Sequence, residues 1–243
     1  MNLTVTPSPR STVEVSVLIG GAAQPLYRRA DGRLFVAGIP GSAYTLSVRN
    51  LTGGRIEVIA SADGRNVLDD DAADVHASRG LIIGPYVTYV FRGWRVSDQQ
   101  TREFLFGEPS SSVAAQATGS TANVGVLGFA AWRHREAYVS NVSWHGAPES
   151  SYGGLTTRGA AGVAAASAGG EGMMSAGSLG TGIGAYQEDR VGRTSFDRAS
   201  DGPDTLVIGY DTEAELVRRG IVLAADPDPF PGHRTGYDKY ATP

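Results

Sequence analysis

Apolar residues recur at every second position through most of the first half of the chain, and that period decides what it can fold into. Val13, Val15, Val17 and Ile19 alternate with Glu14, Ser16 and Leu18; Tyr44, Leu46 and Val48 alternate with Thr45, Ser47 and Arg49; Ile56 and Val58 alternate with Arg55 and Glu57. Successive side chains of a strand point to opposite faces, so each run makes a strand with one dry face and one wet face. The runs are short, β-branched or aromatic, and bounded by turn pairs: Gly20-Gly21, Asp31-Gly32, Pro40-Gly41, Gly53-Gly54 and Asp63-Gly64. Strands of this kind suit antiparallel sheets packed face to face. The stretch GLIIGPYVTYVFRGWRVSDQQTREFLFG (80–107) belongs to the same set. Val87, Tyr89 and Phe91 alternate with Tyr86, Thr88, Val90 and Arg92, and Gly93-Trp94-Arg95 interrupts the run, with Trp94 expected as a core or edge anchor.

Beyond residue 120 the pattern changes. NVGVLGFAAW (123–132) is apolar or glycine on both faces, as expected of a strand covered on both sides by its own chain or by a neighbour, with Gly125 and Gly128 permitting close backbone approach. Residues 141–185 are dense in Gly, Ala and Ser and follow neither period, which predicts a flexible insertion or an arm that orders against something else. TSFDRAS and DTLVIGY then read as strands, the second with Leu206, Ile208 and Tyr210 on one face. DTEAELVRRG is a short helix: Thr212 and Glu215 have capping-box spacing, Arg218 and Arg219 fill the last turn, and Gly220 stops it. The expected fold is all-β, an antiparallel, jelly-roll-like sandwich with one short helix near the C-terminus. It spans residues 1–225, interrupted by the 141–185 insertion, and a Pro- and aromatic-rich tail follows at 226–243.

Composition narrows the function. The chain of 243 residues is 41% hydrophobic and 19% charged, with 33 glycines, about twice the usual share. A net charge of −4 provides no basic surface for phosphate neutralisation, which argues against nucleic acid. Cysteine is absent, so core burial or subunit contacts must hold the fold. Lys239 is the only lysine. No signal-like or membrane-spanning run is visible, so synthesis in the cytoplasm is expected, with a virion as the route to any site outside the cell.

Motifs for chemistry are weak. GTGIGA (180–185) fits the dinucleotide fingerprint as letters, but that site needs a strand before it and a helix after it, and neither pattern flanks it. The acidic stretch 63–76 gathers Asp63, Asp69, Asp70, Asp71, Asp74 and His76. Asp69, Asp70 and Asp71 are a candidate Ca²⁺ set, although the spacing of an EF-type loop is missing. His76, His134, His145 and His233 show no paired ligand spacing and no nucleophile motif nearby. Neither a cofactor nor a catalytic residue is expected. Trp132, Tyr138 and Trp144 are candidates for stacking on sugar rings. Met173, Met174, Phe230, Tyr237 and Tyr240 are the candidate partner contacts, on the insertion and the tail.

The blocks ASADGRNVLDD, GLIIGPYVTYVFRGWRVSDQQTREFLFG, NVGVLGFAAW and GTGIG…TSFDRASDGPDTLVIGYDTEAELVRRGI, spread in order over residues 55–225, resemble a family of uncharacterised proteins of bacteria and their phages. The chain departs from that family at Ser112-Val113, where a Tyr is more usual, and in its Gly/Ala-rich insertion. The resemblance implies a single β-rich domain in a phage or surface setting and transfers no catalytic residues. The expected function is a non-enzymatic structural protein, a capsid decoration or head or tail accessory of a virion, homo-oligomeric and bound to other subunits. A glycan-binding sandwich is the alternative, and a carboxylate hydrolase around Asp69 and Asp71 is the third reading.

Overall fold

The computed structural model describes residues 11–135, 154–156, 177–221 and 223. Along the chain the strands are β1 (Val13–Ile19), β2 (Ala22–Ala23), β3 (Leu26–Arg28), β4 (Leu34–Ala37), β5 (Ala43–Asn50), β6 (Ile56–Ala62), β7 (Arg65–Asn66) and β8 (Leu81–Ile83). They continue as β9 (Thr88–Phe91), β10 (Gly93–Arg95), β11 (Gln100–Gly107), β12 (Val126–Arg133), β13 (Gly154–Thr156), β14 (Gly180–Glu188), β15 (Gly192–Thr194) and β16 (Asp204–Asp211). Two short helices complete the set, α1 (Val113–Thr118) and α2 (Glu213–Arg218). No helix among the described residues is long and apolar enough to cross a membrane.

The strands form two sheets. In the first, β1 pairs along its whole length with β5, which is flanked on its other side by β9 and by β11, and β14 pairs with β11. In the second, β12 lies between β6 and β16, and the sheet runs on to β8 and β13 at one side and to β4 and β3 at the other. The two are the sheets of an all-β sandwich: alternate residues of both meet in one core, with Val15, Val17, Tyr44, Leu46, Phe104 and Phe106 from the first and Val58, Leu127, Ile208 and Tyr210 from the second. The period-two reading of β1, β5 and β6 thus places the correct side chains inward. Pairing is not wholly antiparallel, because β16 runs parallel to β4 and β15 parallel to β13.

Turn chemistry acts where the sequence shows it. Gly20 and Gly21 have φ of +58° and +82°, and Asp63 and Gly64 have +53° and +78°. These two-residue connections join β1 to β2 and β6 to β7, and positive φ at both centres matches the twist of the flanking strands. Helix α2 starts at Thr212, whose hydroxyl accepts the Glu215 amide at 3.3 Å. The reciprocal half of the expected capping box does not form: Asp211 takes the Thr212 amide at 2.8 Å, and the Glu215 carboxylate turns to Arg218 and Arg219. Gly220 (φ +74°) ends the helix, with Gly220 N donating to Val217 O and Ile221 N to Leu216 O, a Schellman closure. Leu216 and Ile221 then pack on Phe35, which covers the outer face of β4.

Several expectations need correction. A second helix, α1, follows a 3₁₀ turn at Pro109–Ser111. TSFDRAS is strand only at its first residue, Thr194; beyond it only Arg198 makes an isolated bridge, to His134. The insertion does not run to 185, since Gly180–Glu188 is a nine-residue strand. Its glycines are chosen by proximity, because a Cβ at Gly180 would stand 2.8 Å from Ser112 Cβ and one at Gly184 would stand 2.8 Å from Glu103 Cβ. The doubly apolar run at 123–132 is covered by its own chain: β12 is central in its sheet, and Ala130 and Trp132 are buried on the outer face with Ile59 under Phe196.

Candidate functional site

Among the described residues three carboxylates are buried, and each is enclosed by donors from distant parts of the chain. Asp63 is 1% exposed. Its Oδ1 accepts the Gly125 amide at 2.9 Å and the Tyr210 hydroxyl at 2.6 Å, and its Oδ2 accepts the Thr181 amide at 2.7 Å. The Thr181 hydroxyl lies 2.7 Å from Tyr210 Oη and 2.8 Å from Tyr44 Oη, so a chain of hydroxyls runs from Asp63 into the core. The positive φ of Asp63 turns this side chain inward at the end of its hairpin. Burial pushes the Asp63 carboxyl up from its ordinary value, against the hydrogen bonds of Tyr210, Thr181 and Gly125, which pull it down.

Glu57 sits on the opposite face of the second sheet. Arg198 donates to its Oε2 at 2.7 Å and to its Oε1 at 3.0 Å, and the Gly80 amide donates to Oε1 at 3.0 Å. The same guanidinium donates to Ser78 O at 2.9 Å and lies 5.1 Å from the Trp132 ring centroid. It thereby ties the 75–80 loop to the sheet. Asp211 is the third: it accepts the Ser178 amide and hydroxyl and pairs with Arg219 at 2.7 Å.

The residues singled out in the sequence fare unevenly. Asp69, Asp70 and Asp71 do not converge on a common point: Asp70 pairs with Arg65 at 2.6 Å, Asp69 caps the Asp71 amide at 3.3 Å, and Asp71 O accepts Asn66 N at 2.9 Å. No group of three or more His, Asp or Glu able to hold a metal occurs among the described residues. The Ca²⁺ candidate therefore has no geometric support, and Asp63 is removed from the acidic cluster into the core. Trp132 is 6% exposed, donates its indole N–H to Val75 O at 2.8 Å, and carries His76 edge-on at 5.3 Å, so it offers no platform for a sugar. His134 lies 4.9 Å from the Phe196 ring. Trp94 is the core anchor expected, with its indole N–H on Gly182 O at 3.1 Å. GTGIGA is strand rather than a phosphate loop. Met173, Met174, Phe230, Tyr237, Tyr240, Tyr138, Trp144, His145 and His233 lie outside the described residues.

One feature of the surface had no sequence signal. A groove of about 380 Å³ opens where the edge of the first sheet meets the second, between β1, the β3–β4 turn and the start of β16. Val13, Val15, Leu26, Leu34 and Leu206 make it apolar, and Glu14, Arg28, Arg33 and Asp204 supply its charge.

The two core tyrosines set an alkaline limit. Burial first, and then the Asp63 charge, pushes Tyr44 and Tyr210 well above their ordinary value near 10. A raised folded value means that the native state keeps its protons while the unfolded chain loses them. Stability is intact below about pH 10 and falls above it by about 1.4 kcal/mol per pH unit per tyrosine, about 3 kcal/mol per unit for the pair. Absorbance at 295 nm and far-ultraviolet circular dichroism followed together are expected to show both phenols ionising only as the sheets melt. Ionisation of both before any loss of structure would contradict this placement.

Compared with known proteins, the chain matches no family model, no curated protein and no solved structure at a significant level.

Proposed function

We propose that the chain is a non-enzymatic structural protein that works through protein–protein contacts, as a virion component such as a capsid decoration or a head or tail accessory. The observation that carries this reading is the use made of the buried charged groups. Asp63, Glu57 and Asp211 each face inward onto amide, hydroxyl or guanidinium donors that are themselves fixed on strands or strand-anchored loops. Carboxylates saturated in this way stiffen a shell, whereas a reacting carboxylate must face a cleft in which a substrate can stand. The groove beside β1 is lined by aliphatic side chains with Glu14, Arg28, Arg33 and Asp204 among them, which suits recognition of another chain by shape and charge. Closed symmetric oligomers are the usual form of such proteins. Size exclusion with light scattering over a hundredfold concentration range tests the reading: a discrete oligomer of fixed stoichiometry is expected, and a monomer at every concentration counts against it.

A further inference from the structure

We propose that the groove beside β1 is a strand-addition site, and that its occupant is an extended acidic segment of a partner chain with apolar side chains at every second position. The inference rests on the protein-contact reading above. It starts from the main chain of β1. Thr12 O accepts Leu51 N at 3.0 Å on the β5 side, while Val17 O accepts Gln24 N at 2.8 Å on the other side. Main-chain groups alternate in direction along a strand, so Val13 and Val15, which share the parity of Val17, aim theirs away from β5 and toward the groove, where Val13 O accepts the Ser11 hydroxyl at 3.1 Å. The hairpin partner β2 covers only Leu18 and Ile19.

The second sheet is open at the same place. Strand β16 pairs with β4 only from Ile208 onward, so among the described residues Asp204–Val207 is laddered to β12 on one side alone. An added strand there meets apolar side chains of both sheets, Val13 and Val15 from β1 and Leu26, Leu34 and Leu206 from the facing sheet. Among the described residues β1 has no register irregularity, and Glu14 is its one charged side chain. The long edge strand β14 carries a register irregularity opposite Arg102 and Phe104, with the Ala185 amide capped by Glu103 at 3.2 Å. Strand β15 has three exposed residues. Edges are ordinarily blunted by such bulges, by short length or by charge.

Charge selects the occupant. Arg29 and Arg33 on the β3–β4 turn share one acid, Asp31, at 3.7 Å and 3.5 Å, and Arg28 at the end of β3 donates to Gly32 O at 3.0 Å. Three positive charges and one negative leave +2 on this lip of a chain whose total is −4. Of the acids of the groove, Glu14 stands 3.9 Å from Arg49, and Asp204 accepts the Thr12 amide at 2.7 Å while keeping its charge, so lip and groove together still carry a net positive charge. Arg28 and Arg33 are exposed at the mouth. A segment with carboxylates at its outward positions is therefore favoured over a basic one.

The test titrates the full-length protein with the capped hexapeptide EVTVEV and follows main-chain amides by NMR. KVTVKV serves as the charge control and ETTTET as the apolar control. The Val13 and Val15 amides are expected to shift and to gain protection from exchange, while Glu14 and Ser16, already bonded to β5, stay unchanged. Both control peptides are expected to bind at least tenfold more weakly, and the double variant Arg28→Glu, Arg33→Glu to reverse the preference between EVTVEV and KVTVKV. Equal affinity for the two charged peptides, shifts confined to another surface, or no binding at millimolar peptide overturns the proposal. Protection of Val13 and Val15 that grows with protein concentration alone, together with a dimer mass, assigns the seam to a second copy and overturns the acidic partner segment. Light scattering of the peptide-free protein reports on the protein-contact reading separately, so the two failures are distinguishable.

Discussion

Gly93→Ala is expected to destabilise the protein by at least about 4 kcal/mol, a large share of the stability of an ordinary domain. A Cβ at this position would stand 1.9 Å from the Arg102 carbonyl oxygen and 2.4 Å from its carbon. Those atoms belong to β11, which is laddered to β10 on one side and β14 on the other, so no side chain can swing aside to make room. The strand would have to leave its partner, and the neighbouring Trp94, 5% exposed, would leave the core with it. Gly54→Ala is the control, because a Cβ there meets nothing within 4 Å and the backbone is unstrained. It is expected to fall within about 0.5 kcal/mol of wild type. Urea unfolding followed by tryptophan fluorescence measures both; a Gly93→Ala protein as stable as the Gly54→Ala control would refute the close approach of β10 and β11.

Asp63→Ala is expected to cost about 3–5 kcal/mol, because it strands the Gly125 and Thr181 amides and the Tyr210 hydroxyl in a dry interior. Asp63→Asn separates the acceptor from the charge. The amide oxygen can still serve Gly125 and Tyr210, and asparagine tolerates the positive φ, but its NH₂ then faces the Thr181 N–H. A loss of about 1–3 kcal/mol is expected for one unmet buried donor. The sign of the pH effect follows from the elevated folded value of Asp63. The hydroxyls of Tyr210, Thr181 and Tyr44 can reverse their donor roles, so the site accommodates the protonated acid. Its contribution is full below the unfolded value near 3.8 and is lost as pH rises through the folded one. The gap between wild type and Asp63→Asn is thus expected to narrow on going from pH 3 toward neutrality, measured by urea midpoints. A gap that widens over that range would reverse the assignment.

Local rules made most of the strands legible. The alternation at 13–19, 44–50 and 56–62, the glycine pairs and the Thr212 and Gly220 caps each act within a few residues, where a single sequence shows them. What stayed hidden depends on residues far apart. Asp63 read as part of an acidic loop because the Thr181 and Tyr210 that bind it lie 118 and 147 positions away. Trp132 lies in a run read as covered on both faces, but its cover, Arg198 and the 75–78 loop, comes from elsewhere in the chain and leaves no local signal. Strand β14 carries no hydrophobic period, since its glycines answer to Ser112 and Glu103 rather than to a face. The groove has no motif at all; it is the place where, among the described residues, two strands lack a neighbour.

The parallel pairing of β4 with β16 has a consequence for synthesis. A strand ending at residue 37 lies against one that begins at 204, so the second sheet has an empty slot until the later strand is made. Until residues 204–211 emerge, Phe129 and Ala131 on one side and Val36 on the other have no rung to close upon. Closing this sheet joins strands about 170 positions apart and is therefore slow, as non-local β pairing demands. A protein that stops short of residue 204 would be a clear target for chaperones and proteases.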